Sequence, residues 1–370
     1  MRSIFTILLS IGSTFVQPVM GWPAILEIGD GADCLLQPRE VTVLTGGEVV
    51  LSLAGPFEDP GIVLLDSGGQ LIWKRMILEK GGTSRAFESG GYLAPVADGF
   101  AVTLHSEPRA TGVDTDVAVV RMNLDGDVLW EHFLGLEDTL NWMCTGILAC
   151  TDGGFFISGC PGTMIPGGYA FKLDSEGEQV WITPQDAMEG YLTSPVELPG
   201  GDFLCIFQDY SGTLSIQRIM SDGEIGELVE VRSDGYMEAD GLHYVDGTLW
   251  ISSMSGGGSI SAFRLDDQLQ TDRAISTVFP SGVAVRSVEM NERGLLVSGT
   301  CDQDGYLAVV GFDGSILWQD TVDAGGTEAL DGAVYTSDGR AIVACGTIQD
   351  DHGRTLSAIV DVRDVPEFIN

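Results

Sequence analysis

The side chains with the most chemistry to offer in this sequence are carboxylates, gathered in short polar segments between apolar runs. One set comprises Glu58-Asp59, Asp114 with Asp116, Asp209, Asp302 with Asp304, and Asp350-Asp351. A second set, Glu88, Glu189, Glu238 and Glu328, stands just ahead of apolar runs. Hard oxygen ligands at this density suit calcium, which is bound by several oxygens at once. In Asp302-Gln303-Asp304-Gly305 two aspartates alternate ahead of a glycine, as in part of a calcium loop, so Asp302 and Asp304 are the candidate metal ligands. The segment is not an EF-hand. With Gly305 in the glycine place of such a loop, Thr300 opens it and Gly311 closes it, where a bidentate glutamate is required. Glu88, Glu189, Glu238, Glu328, Asp350 and Asp351 are candidates for a partner-binding face. Paired carboxylates also permit acid–base cleavage of a glycan, with Tyr191, Tyr210 and Tyr236 offering faces for sugar rings. In so acidic a chain, acids also fall in loops by default.

Other reactive constellations are missing. His105, His132, His243 and His352 have no metal-ligand spacing among themselves or with cysteine. The chain has no Gly-x-Ser-x-Gly elbow and no His-Glu-x-x-His. The glycine-rich stretch from Ser255 to Ser259 has no lysine and reads as a loop, not a phosphate cradle. The seven cysteines are Cys34, Cys144, Cys150, Cys160, Cys205, Cys301 and Cys345, with no Cys-x-x-Cys. Their odd number leaves at least one outside any intramolecular disulfide, and Cys205 and Cys345 sit in apolar strand patterns as small core residues. A formal net charge of −36 at pH 7 argues against a polyanionic partner such as nucleic acid. It keeps a glycine-rich β protein soluble and tolerates cations or basic surfaces.

The elements that must position these groups announce themselves as a repeat. A turn signal recurs at Gly46-Gly47, Asp98-Gly99, Gly153-Gly154, Gly200-Gly201, Asp246-Gly247, Arg293-Gly294 and Asp338-Gly339. The interval is roughly 45 to 55 residues, and each signal leads into an apolar run rich in Val, Ile, Leu and Phe. A second signal follows at about twenty residues. It reads Leu65-Asp66-Ser67-Gly68-Gly69 up to Trp73, Leu124-Asp125-Gly126 up to Trp130, Leu173-Asp174-Ser175-Glu176-Gly177 up to Trp181, and Phe312-Asp313-Gly314 up to Trp318. Ser221-Asp222-Gly223 and Leu265-Asp266-Asp267 are copies that lack the tryptophan. Aspartate sets the turn and glycine takes the left-handed position, so each signal predicts a hairpin. Each period is then strand, turn, strand, loop, strand, turn, strand. The fold expected is all-β, a single β-propeller of about seven four-stranded antiparallel blades, with the tryptophans packing against the next blade.

Segments 174–181 and 125–130, with Thr-Asp-Gly-Gly-Phe-Phe-Ile-Ser-Gly at 151–159 between them, resemble the PQQ-like and related propeller repeats of secreted bacterial proteins. The resemblance covers most of the chain from about residue 40 and implies the fold. The vicinal cysteines of a quinone pocket have no counterpart here, so the cofactor is not carried over.

Residues 1–21 read as a signal peptide, with Arg2, the apolar stretch Ile4 to Val16, and small residues Val19 and Gly21 before a cut ahead of Trp22. Residues 22–39 form a lead-in and 40–370 the propeller. The ring closes either with an outer strand from Leu356 to Val362 or with Ala24 to Ile28 joining the last blade. The protein expected is secreted or periplasmic, not inserted in a membrane, and monomeric. Its expected role is a non-enzymatic scaffold that binds a protein or glycan partner through its loop face, with calcium as the one cofactor in view. The alternatives are an extracellular polymer hydrolase or lyase using carboxylates at the channel mouth, and a quinone-type oxidoreductase suggested by the repeat resemblance alone.

Overall fold

The computed structural model describes residues 5–7, 24–26, 37–55, 58–76, 87–106, 117–134, 142–161, 167–183, 190–209, 214–231, 238–255, 258–336, 339, 341–349 and 355–364. These residues form a seven-bladed β-propeller. Six blades are four-stranded antiparallel meanders, spanning residues 37–76, 87–134, 142–182, 190–230, 238–278 and 283–322. The seventh contains Thr327–Tyr335, Ala341–Gln349 and Thr355–Asp364. Its outer strand comes from the other end of the chain: Ala24–Leu26 pairs antiparallel with Thr355–Asp364, Ile25 facing Ile359. Phe5–Ile7 adds a parallel fifth strand beyond it. Of the two closures open to the sequence, the N-terminal strand is the one adopted. It joins the two ends of the chain by backbone hydrogen bonds and covers the outer edge of Thr355–Asp364.

The core is not one body but seven, each wedged between neighbouring blades. Val41, Leu51 and Leu53 of the first blade meet Val343, Cys345 and Val360 of the seventh, and the remaining clusters fill the six other junctions in turn. Strands two and three of each blade are therefore covered on both faces. That is why their sequences run apolar without alternation, as in Val117–Asn123 and Gly294–Cys301. Cys205 and Cys345 lie in this core as expected, both fully buried. The six cysteines among the described residues are all free thiols, and Cys34 lies outside them.

Both turn signals fold as hairpins. Gly69, Gly126, Gly177, Gly223 and Gly314 of the second signal take the left-handed backbone that the turn requires. An antiparallel meander returns to the same side at every second connection. All these tight turns thus share one face of the disc, and the links between blades share the other with the loops joining strands two and three.

Every inner strand carries a β-bulge at the same height, skipping Arg39, Gly91-Tyr92, Thr145, Ser194-Pro195, Asp240, Arg286 and Asp331. A bulge re-aims side chains, and here it turns polar groups onto the next blade. The Asp240 carboxylate accepts from Val288 N–H at 2.8 Å, and Arg286 pairs with Asp331 at 2.7 Å. Thr145 Oγ1 donates to the Leu192 carbonyl.

Candidate functional site

The loop face is best defined where the sixth blade meets the seventh. Cys301 pairs with Asp304, so strands two and three of the sixth blade turn on Asp302 and Gln303 alone, with Asp302 at φ +56°. This hairpin is anchored on both sides. Asp302 N–H donates to the Gly282 carbonyl in the link entering its own blade, and the Gln303 carbonyl accepts from Glu328 N–H of the seventh. The Asp323-Ala324-Gly325-Gly326 link then wraps around one carboxylate. Glu328 Oε1 accepts from Ala324 N–H at 3.2 Å and Gly326 N–H at 2.8 Å. Gly326 has to be glycine, because a Cβ there would lie 2.6 Å from Ile348.

The result is an acidic cluster. Carboxylate oxygens of Asp304, Asp323 and Glu328 lie within 4.8 Å of one another. Asp323 is exposed, Asp304 half-buried, and Glu328 has no exposed surface at all. Glu328 Oε2 is buried with no hydrogen-bond partner among the described residues. Burial pushes the Glu328 carboxyl above the usual carboxylate range. Two backbone N–H groups oppose that rise, and Asp304 and Asp323 add to it. Three like charges around an unsatisfied buried oxygen are costly unless a cation joins them. The donors are all hard oxygens, the set that calcium takes. The residues fit such an ion: Asp304, Asp323 and Glu328 would hold it.

Of the metal ligands expected from sequence, Asp304 is in this cluster and Asp302 is not. The Asp302 carboxylate lies over Gly282 instead, where an added Cβ would be 2.5 Å from Oδ1. Glu328, expected on a partner-binding face, is a buried member of the cluster. Glu238 opens the inner strand of the fifth blade and Glu88 lies in that of the second. Glu189, Asp350 and Asp351 fall outside the described residues. Asp323 went unnoticed in the sequence. The available signal was its short Asp-Ala-Gly-Gly link, which forces the chain back onto the Glu328 carboxylate.

The central channel holds a second group of acids that the sequence did not single out. Glu40 of the first blade and Glu289 of the sixth repel each other, and Asp240 of the fifth repels Glu289. Burial and this repulsion raise Glu40 to about 8, while the Leu93 N–H bonded to it at 2.5 Å pulls the other way. Glu289, accessible from the channel but walled by protein, is raised to about 7, by burial first and by Asp240 second. His243, hydrogen-bonded to Ser252 Oγ at 2.9 Å, is lowered by burial to about 4 and is neutral at physiological pH.

No family model matches the chain, and no curated protein matches it. Solved structures do share its architecture. The β-propeller domain of Myceliophteria thermophila Cps50 (Swd1) is 12% identical with a TM-score of 0.53, covering 89% of this chain and all of that one. The Dos1 propeller is 10% identical with a TM-score of 0.52, covering 92% of this chain and 78% of that one. The dihydro-heme d1 dehydrogenase NirN is 11% identical with a TM-score of 0.52, covering 90% and 69%. At these identities the likeness is one of fold.

Proposed function

We propose that this protein is an exported, non-enzymatic scaffold whose loop face binds a protein or glycan partner, and that a calcium ion at the junction of the sixth and seventh blades organises that face. The observation that carries the reading is Glu328: a fully buried carboxylate with one oxygen unpartnered, beside two further carboxylates. An ion there would tie the sixth blade's hairpin to the link that enters the seventh. Asp323, the exposed member, would leave the ion open to an incoming oxygen ligand. Export is supported by the N-terminal pattern. A cut before Trp22 removes Phe5–Ile7 and keeps Ala24–Leu26, so the mature chain retains its closing strand.

The test is calorimetric titration of calcium into chelator-stripped protein. A one-site isotherm in the wild type, lost in Asp304→Asn, is expected. No heat at millimolar calcium, or an unchanged isotherm in Asp304→Asn, would remove the ion from the proposal.

A further inference from the structure

Three blade junctions are sealed by one device. Trp73, Trp130 and Trp181 each stand four residues after their own blade's turn glycine. Each Nε1–H donates to a carbonyl of the next blade, Leu124 at 2.8 Å, Ser175 at 3.0 Å and Ser221 at 2.9 Å. The acceptor always lies two residues before the next turn glycine. The indole covers that glycine so closely that a Cβ on Gly126, Gly177 or Gly223 would sit 3.0, 2.6 or 2.7 Å from it. Within its own blade, Trp130 lies opposite Arg121 and Trp181 opposite Lys172. Both cations are ion-paired, to Asp98 and Asp152, and only 7% of each side chain is exposed.

The fourth blade breaks the pattern. Position 227, in register with Trp181, is glutamate. The matching turn residue of the fifth blade is Leu269, held at φ +58° where the other turns place glycine. A bulky residue in that region is strained. Arg218 matches Arg121 and Lys172 and pairs with Asp202 at 2.6 Å, yet 45% of its side chain is exposed. What remains is a groove of about 620 Å³ on the tight-turn face, lined by Arg218, Leu204, Leu249 and Leu269, with Glu227 and Asp267 also along it. Leu204 and Leu249 match Phe156 and Phe203, the two rings that meet Trp181.

We propose that this groove is a docking site for an aromatic side chain, tryptophan foremost, carried on a basic segment of a partner protein. It lies on the face opposite the cation cluster and is independent of it. An aromatic ring here would do what the chain's own indoles do at the three junctions described above. It would cover the Arg218 guanidinium, which favours an aromatic face, and pack on Leu204 and Leu249. The ring has to come from outside. Position 227 carries glutamate, and a ring entering from the rim would lie against the Leu269 side chain instead of over a turn glycine, as Trp181 lies over Gly223 between the third and fourth blades. The flanking basic residue follows from charge: Glu227 and Asp267 are both exposed acids at this groove, on a chain of net charge −36.

The experiment titrates the peptides Lys-Trp-Lys and Glu-Trp-Glu into the purified protein and follows the indole protons by saturation-transfer NMR. Lys-Trp-Lys is expected to bind wild type at least about tenfold more tightly than Glu-Trp-Glu, a factor of ten being roughly 1.4 kcal/mol. The double variant Glu227→Trp/Leu269→Gly rebuilds the arrangement found between the third and fourth blades and should lose the transfer. Arg218→Gln, which keeps the groove and removes the cation, should weaken binding several-fold. Equal transfer in wild type and the double variant, no transfer in wild type, or an unaltered affinity in Arg218→Gln would each overturn the proposal.

Discussion

Glu328→Gln separates a cation site from a merely acidic surface, because only a cation site gives a calcium-dependent shift that the variant loses. In the wild type, Glu328 shares a 4.8 Å neighbourhood with Asp304 and Asp323. Two unit charges at that separation repel by about 3.5 kcal/mol at an effective dielectric of about 20. Solvent at the exposed Asp323 screens its share, so the pair with half-buried Asp304 dominates, at about 3 kcal/mol. Glutamine removes this repulsion and offers the aspartates an N–H donor. Its carbonyl still accepts from Ala324 and Gly326. A chain of 370 residues unfolds with an entropy of about 0.8 kcal/mol per degree at roughly 2.1 cal/mol/K per residue. The variant in chelator should therefore melt about 4 °C above wild type. Added calcium closes most of that gap. At a hundredfold excess over its dissociation constant, the ion stabilises the wild type by about 2.7 kcal/mol, or roughly 3.5 °C, and leaves the variant unmoved. Differential scanning calorimetry with chelator and with calcium reads both numbers. A Glu328→Gln protein that melts below wild type in chelator, or that keeps a calcium shift, refutes the reasoning.

Four further outcomes are expected. Trp181→Ala should cost about 3 kcal/mol in denaturant unfolding, from a lost hydrogen bond and a half-buried ring. Gly223→Ala should cost more in wild type than in Trp181→Ala, because the Cβ collides only when the indole is present. A coupling below about 0.5 kcal/mol would contradict the packing described. Glu40, raised from 4.5 to about 8, holds its proton more tightly folded than unfolded. The stability it contributes is full below pH 4.5 and lost as pH rises through 8. Glu40→Gln should thus flatten a decline of up to about 1.4 kcal/mol per pH unit over that window, measured by urea unfolding; an unchanged slope would count against a buried channel carboxyl. Starting the chain at Gln37 removes Ala24–Leu26 from the seventh blade. It should lower the melting midpoint and expose the edge of Thr355–Asp364 to self-association, seen by light scattering; an unchanged midpoint would show that closure does not depend on that strand.

Blade number, the two turn types and the junction tryptophans were legible in the sequence because hairpins are encoded locally. An Asp–Gly signal fixes a turn, and an apolar run between two turns has to be a strand covered on both faces. Cys205 and Cys345 could be placed in the core on the same grounds. Asp304 was readable as a candidate ligand, but its separation from Asp302 was not. That depends on a hairpin of two residues hooked to Gly282 on one side and to Glu328 on the other, contacts between segments far apart in the chain. Glu328 itself looked like a surface acid. Only the fold of the Asp323–Gly326 link around it shows that the carboxylate is buried with one oxygen unsatisfied.

The channel acids Glu40 and Glu289 come within electrostatic reach because the inner strands of the first and sixth blades, on either side of the seventh, line one channel, a proximity that no local pattern carries. Ring closure was open for the same reason, since either terminus offers a strand of suitable composition and geometry alone selects between them. At position 227 the missing tryptophan is visible in the sequence. That its absence uncovers Arg218 and leaves a groove beside a strained Leu269 is a property of two adjacent blades. The sequence by itself determined the unit that repeats. The tertiary structure decided what gathers where the units meet, because side chains at those seams come from distant parts of the chain.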